Sequence, residues 1–221
     1  MMKRNSRALC ALLIIVGVIV IDQIVKYLVK TNFSLYESLP VTSWFELVFT
    51  ENTGMAFGMN PVSTVFLALF RIAAIGLFGY MLLKLVRKPV SMGLLVCFSL
   101  IVAGATGNII DNMFYGLIYQ ESLPYAAPAQ LVPFGQGYGS FLEGKVVDMF
   151  YFPLFTWPES FPLVGGKVFF GAIFNVADAA ISCGAVAILL FYNKYLTGKD
   201  KKAAAADTSS ASNESVASSA E

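Results

Sequence analysis

The stretch "ALLIIVGVIVIDQIVKYLVK", residues 11–30, decides the fold. It is apolar enough to cross a bilayer, which takes about 20 residues, yet it holds Asp22 and Lys26. The basic opening "MMKRNSR" resembles the start of a signal peptide, but the run ends in "DQIVKYLVK" with no small-x-small cleavage site. It therefore reads as an uncleaved anchor. Including its N-terminal side, this run covers 8–30, and three more follow at 62–86, 91–114 and 168–195. The expectation is an all-α membrane protein with four transmembrane helices.

Composition agrees with that reading. Of 221 residues, 57% are hydrophobic and 13% charged, against about a quarter charged in soluble domains. A net charge of +1 without a basic patch argues against a nucleic-acid partner. Histidine is absent, which removes Ser-His-Asp and Cys-His sites, an HExxH zinc site and an imidazole base. Chemistry is left to carboxylates, Lys, Tyr, Ser or Cys, and a carboxylate pair is the commonest of these routes to hydrolysis. Cys10, Cys97 and Cys183 all fall in apolar runs, so they read as compact membrane-core residues and not as a disulfide framework.

Lys and Arg set the expected orientation. Lys3, Arg4 and Arg7 precede the first run, Lys84, Arg87 and Lys88 lie between the second and third, and Lys194, Lys199, Lys201 and Lys202 follow the fourth. Beyond Lys30 at the edge of the first run, the two long loops, 31–61 and 115–167, contain only Lys145 and Lys167. Both termini are thus expected in the cytoplasm and both loops outside. Within those loops "SWFELVFTEN" and "GKVVDMFYF" read as strands, giving a small extracytoplasmic β-rich region. Residues 1–198 form one four-helix domain in this reading, and 199–221 a disordered cytoplasmic tail.

With that orientation, the polar residues of the spans share one depth. Asp22 and Lys26 lie in the outer part of the first, Asn108, Asp111 and Asn112 near the outer end of the third, and Asn175 and Asp178 early in the fourth. Their i,i+3 and i,i+4 spacings put each set on one helix face, and intramembrane polar residues mark function by default. Asp22 and Lys26 read as a structural ion pair. Asn108, Asp111 and Asn112 fit interhelical bonding or chemistry, and Arg71 fits either snorkelling or neutralising a carboxylate. Asp178 has no basic residue within a turn, and Asp148 in the outer loop stands where it could cap the cluster. Two such acids suggest aspartic hydrolysis, one ionised to take a proton from water and one protonated to polarise the scissile carbonyl.

Five stretches then match a known family in order: "DQIVK" at 22–26, "ENTGMAFG" at 51–58, "GATGNIID" at 104–111, "VVDMF" at 146–150 and "FNVADAAI" at 174–181. Together they resemble the lipoprotein signal peptidases, the type II signal peptidases of bacterial cytoplasmic membranes. The resemblance implies that Asp148 and Asp178 are the catalytic dyad, that Asn52, Asn108 and Asn175 line the site, and that Asp22 and Asp111 support it. Gly54 fits a tight turn beside the substrate. A two-acid mechanism requires no metal or cofactor, and the expectation is a monomer in the inner membrane among its lipids. Its substrates would be prolipoproteins whose signal peptide ends before a diacylglyceryl-modified cysteine. Two features depart from the family. Asn112 stands where Arg often follows Asp111, with Arg71 a substitute, and the loop 115–147 is long. That loop could be a lid, a partner contact or, most simply, solvated decoration. The rival from another class is a small four-helix ion-coupled transporter using the buried acids, although such acids tend to lie near the midplane.

Overall fold

The structure, a computed structural model, describes residues 4–52, 64–193 and 195. In chain order it comprises α1 (Arg4–Asn32), β1 (Ser38–Thr42), β2 (Phe45–Asn52), α2 (Thr64–Arg87) and α3 (Met92–Ile110). A π-helical turn at Asp111–Tyr115 leads into the short α4 (Gly116–Ile118). Then come β3 (Val146–Tyr151), β4 (Phe155–Thr156), β5 (Val168–Phe169), β6 (Ile173–Phe174) and α5 (Val176–Phe191). Gly54 and residues 199–221 lie outside the described residues.

Three helical stretches, Arg4–Asn32, Thr64–Arg87 and Met92–Ile118, are long and apolar enough to cross a membrane, and α5 is a shorter apolar helix of 16 residues. Here the structure corrects the sequence reading. The run expected to span from 168 is strand at Val168–Phe169 and Ile173–Phe174, and its helix begins at Val176. A short apolar run has no periodicity to separate strand from helix, and Asn175 starts α5 by accepting a hydrogen bond from the Asp178 amide, 2.8 Å away.

The third helix is the hub, packing against α1, α2 and α5. Its "GATG" stretch permits close approach, because a Cβ at Gly104 would lie 2.2 Å from the Ala177 carbonyl oxygen. Small residues at such contacts let helices associate through dispersion where burial in lipid gives no hydrophobic gain. At the other end, buried Arg7 donates from Nη1 to the Val90 carbonyl (2.8 Å) and from Nη2 to that of Leu85 (3.2 Å), fastening α1 to the α2–α3 turn. The outward faces of α1 and α2 carry exposed Leu13, Val16, Phe66 and Phe70, among others.

Strands β1-β2-β3-β6 form one antiparallel sheet, and β4–β5 a separate two-stranded one. Both strands expected from sequence are present, as β2 and β3. Val29, Phe49, Tyr115, Tyr119, Val147 and Met149 make a buried cluster joining the sheet to the ends of α1 and α3. The long loop is tied to the rest of the fold, the Leu35 amide donating to the Leu123 carbonyl at 3.3 Å. It is bonded down by contacts such as Gln120 N–H to the Gln130 carbonyl and Gly137 N–H to that of Leu117. Ser122 and Ala129 within it are buried.

Candidate active site

The site forms where the π turn, the sheet and the start of α5 meet. Asp148 lies on β3 opposite Thr50, with Asn52 diagonal to it on β2. Buried Asp148 accepts hydrogen bonds from the side chains of Asn175, at 2.6 Å to Oδ1, and Asn52. Asp178 is half-buried in the first turn of α5, where the aligned amide dipoles favour negative charge. Its Oδ1 accepts from Asn108 Nδ2 at 2.7 Å. The two asparagines meet in turn, Asn175 Nδ2 donating to Asn108 Oδ1 at 3.1 Å. A bridge of two side-chain amides thus links the two carboxylates.

The direction of each amide follows from its neighbours. Lys26 can only donate, and it donates to Asn108 Oδ1 at 2.9 Å, which turns the Asn108 amino group toward Asp178. Asn175 Oδ1 is committed to the α5 backbone, so its amino group faces Asp148.

Beneath the bridge lies a fully buried ion cluster. Lys26 Nζ sits 2.9 Å from Asp22 Oδ2 and 2.8 Å from Asp111 Oδ2, with no exposed side-chain surface on any of the three. Each acid also holds an element in place. The Ala177 amide donates to Asp22 Oδ1 (2.9 Å), at the N-terminus of α5, and the Val147 amide to Asp111 Oδ2 (3.3 Å), beside Asp148. Gln23 donates to Asp111 Oδ1 at 2.9 Å. A Cβ at Gly107 would come within 2.6 Å of Asp22 Oδ2, so a side chain there would displace this carboxylate.

Arg71 reaches the cluster from α2, donating to Asn112 Oδ1 at 2.6 Å, while Asn112 donates to the Gly144 carbonyl at 2.6 Å. The guanidinium is within electrostatic reach of Asp178, Asp111 and Asp148. It resolves the sequence alternatives in favour of an inward position. With Asn108, Asp178, Phe70, Ile101 and Ile181 it lines a cavity of about 410 Å³ that is mainly apolar apart from these polar groups.

Every described residue singled out from sequence (Asn52, Asn108, Asp111, Asp148, Asn175, Asp178 and Asp22) belongs to this one connected assembly. Sequence reasoning gives Lys26 a local tethering role, although the residue also holds the third helix. It misses a second buried cluster entirely. Lys30 pairs with the Glu51 carboxylate and donates to Ser122 Oγ at 2.8 Å, with the Tyr119 and Tyr138 rings 5.2 and 5.3 Å away. It anchors the end of β2 immediately before Asn52. The i,i+4 repeat of charge along α1 is the signal in the sequence that could have pointed to it.

Comparison with known proteins decides the family. The sequence model for signal peptidase (SPase) II matches residues 14–194. The chain belongs to the signal peptidase II family. Signal peptidase II enzymes are aspartic-type proteases of the membrane, and this chain is accordingly a hydrolase acting on peptide bonds. A lipoprotein signal peptidase of Porphyromonas gingivalis is 48% identical over 184 residues, covering 81% of this chain and 80% of its relative. One from Amoebophilus asiaticus is 35% identical over 182 residues, covering 78% and 72%. Two solved structures of bacterial membrane enzymes, obtained in meso at 2.3 and 1.9 Å resolution, share the fold. Their TM-scores are 0.55 and 0.54 at 22% and 24% identity, covering 84% and 82% of this chain and 89% and 90% of theirs.

Proposed function

We propose that this chain removes the signal peptides of diacylglyceryl-modified prolipoproteins at the outer face of the bacterial cytoplasmic membrane, using Asp148 and Asp178 to activate water. Four spans, with α5 as the fourth, and both termini in the cytoplasm complete the reading. The observation that carries it is the amide bridge, which ties one carboxylate on the sheet to one on α5 at a single end of the helices. An ion-coupled carrier has no use for an acid on a strand beside the bundle.

The two acids have different environments, and this separates their roles. Burial, reinforced by the charge of Asp178, pushes the Asp148 carboxyl up to about 7. Asp148 is therefore the member that holds the proton. Asp178, at the helix N-terminus with Asn108 and Arg71 nearby, is the ionised partner and takes a proton from the attacking water. As the water oxygen bonds to the scissile carbonyl carbon, Asp148 gives its proton to the carbonyl oxygen. Collapse of the tetrahedral intermediate breaks the C–N bond, the proton on Asp178 passes to the leaving nitrogen, and Asp148 regains the hydroxyl proton. The lipid of the substrate holds the scissile bond at the membrane surface, and the apolar cavity beneath Arg71 accepts signal-peptide side chains.

The direct test is cleavage by purified enzyme of one preprotein with and without its diacylglyceryl group. Only the lipid-modified form should be cut, just before its cysteine. Equal turnover of both forms, or cleavage elsewhere, would refute the substrate assignment.

Two further outcomes are expected. Turnover should decline as pH rises through about 7, because Asp148 then loses its proton and neither acid can polarise the carbonyl. The same sign applies to stability. A carboxyl raised in the folded state favours folding most below its unfolded value, and that contribution disappears as pH rises through about 7. A pH–rate profile flat to strongly alkaline pH would contradict the assignment. Separately, Asn175→Ser retains an N-cap of similar quality but cannot span to Asp148. The helix cap should persist, while kcat falls about threefold to tenfold, as for loss of a hydrogen bond to a neutral group. Thermal unfolding and steady-state kinetics on the same sample would distinguish the two effects.

A further inference from the structure

Between β3 and β6 the chain leaves the main sheet as an arm. Strands β4 and β5 pair through Phe155↔Phe169 and Thr156↔Val168, and the Trp157 amide closes the next rung on the Lys167 carbonyl at 3.0 Å. The rings interlock: Phe155 stacks on Phe169 at 4.8 Å between centroids, and Trp157 packs edge-on against Phe155 at 5.1 Å. The arm's outside is also apolar. Leu154, Phe155, Phe161, Phe169 and Phe170 are 40–51% exposed and Leu163, at the tip, is 93% exposed. Over residues 153–171 the only charged side chains are Glu159 and Lys167.

Leu163 and Phe170 have φ of 68° and 59°. Bulky residues adopt that left-handed region only at a cost in backbone strain. Here the strain holds two apolar side chains out from the fold, half or more of each uncovered by the described residues. What covers them is indicated by continuity. The arm returns through β6 directly into the start of α5. Exposed Val186, Leu189, Leu190 and Phe191 at the far end of that helix mark it as lipid-facing, so the arm stands at the other, outer end of a membrane-embedded helix. An unbroken series of ring contacts, Phe170 to Phe174 to Phe152 to Trp44, carries the aromatic surface across the sheet from that junction. Aromatic rings concentrate where membrane meets water, and an arm with one charge of each sign offers little to an ionic partner.

We propose that the 153–171 arm inserts its Leu163 tip and aromatic face into the boundary between headgroups and acyl chains of the outer leaflet. The arm is a membrane anchor separate from the helices. Because it joins β3, which bears Asp148, to β6, which leads to Asp178, its insertion sets the height of both acids over the bilayer. The outer-leaflet assignment rests on the orientation given under the proposed function.

The test is a depth measurement at the tip. Trp44→Phe, Trp157→Phe and Leu163→Trp in one full-length chain leave a single indole at the exposed tip of the arm. The protein is placed, one copy per disc, in nanodiscs of phosphatidylethanolamine and phosphatidylglycerol, with lipids brominated either near the headgroup or near the chain end. Shielding from aqueous iodide is expected, with quenching by the shallow bromines about twofold or more above that by the deep ones. Full iodide quenching with no response to bromine would place the arm in water and overturn the proposal. Iodide shielding without bromine quenching would overturn it too, since protein would then cover the tip. Undiminished cleavage of a lipid-modified prolipoprotein by the triple variant shows that the fold is intact and keeps the enzymatic reading separate from the depth reading. Should that variant misfold, Leu163→Cys carrying a nitroxide in the otherwise unchanged chain reports the same depth through its accessibility to oxygen and to an aqueous nickel chelate, with chelate access above oxygen access overturning the proposal.

Discussion

Asp148→Asn and Asp178→Asn should each reduce cleavage of a lipid-modified prolipoprotein by about a hundredfold to ten-thousandfold, the range for losing a general acid or base. Asparagine preserves shape and can still meet the bridging amides, so the loss should fall on kcat while folding and binding persist. The double variant should be scarcely worse than either single one, since two groups acting as a unit give non-additive losses. Wild-type-like turnover in either variant removes that residue from the dyad. The roles predict a further difference. Asp148→Asn takes away the group raised to about 7, so its residual activity should lose the alkaline decline, whereas Asp178→Asn retains that group and should keep a pH-dependent residual rate.

The largest effect on stability is expected at Lys26. Lys26→Met keeps the apolar stem but leaves Asp22 and Asp111 buried without their cation. Removing one partner from a buried ion pair costs about 3–5 kcal/mol, a large share of the roughly 5–15 kcal/mol that holds a typical domain together. Asn108 Oδ1 then keeps only the Asn175 amino group as a donor, so the amide bridge is held less firmly and cleavage should fall in molecules that remain folded. Thermal unfolding in detergent reads the first effect. Combining Lys26→Met with Asp22→Asn and Asp111→Asn should restore much of the lost stability, because the penalty arises from unpaired charge and not from missing volume. A Lys26→Met protein that melts like wild type would show that the triad is hydrated.

Much of this architecture is legible in the chain, with limits that have physical causes. The apolar runs locate α1, α2 and α3, and alternation locates β2 and β3. The fourth run misleads at its start because strands β5 and β6 are apolar on both sides, so no period distinguishes them from the helix that follows. Asn175 and Asp178 read as neighbours on one helix face. In the structure Asn175 is outside the helix and caps it, and the three-residue spacing reflects the reach of a side chain back to an N3 amide. Asp22 with Lys26 is visible as an i,i+4 pair, but no local pattern shows that Asp111 completes it from beyond the third helix. The same i,i+4 repeat points to Lys30, but its partners at 51 and 122 are hidden because they come from other parts of the chain.

The Phe150↔Phe174 and Tyr151↔Ile173 rungs join β3 to β6 just past Asp148 and just before Asn175 and Asp178. The two acids therefore flank the base of one hairpin. Evolution can lengthen, shorten or replace everything beyond Tyr151 and before Ile173 without altering the gap between them, whereas one residue inserted between Asp148 and Phe150 would turn a carboxylate away. Chain length is freely variable on one side of those two rungs and fixed on the other.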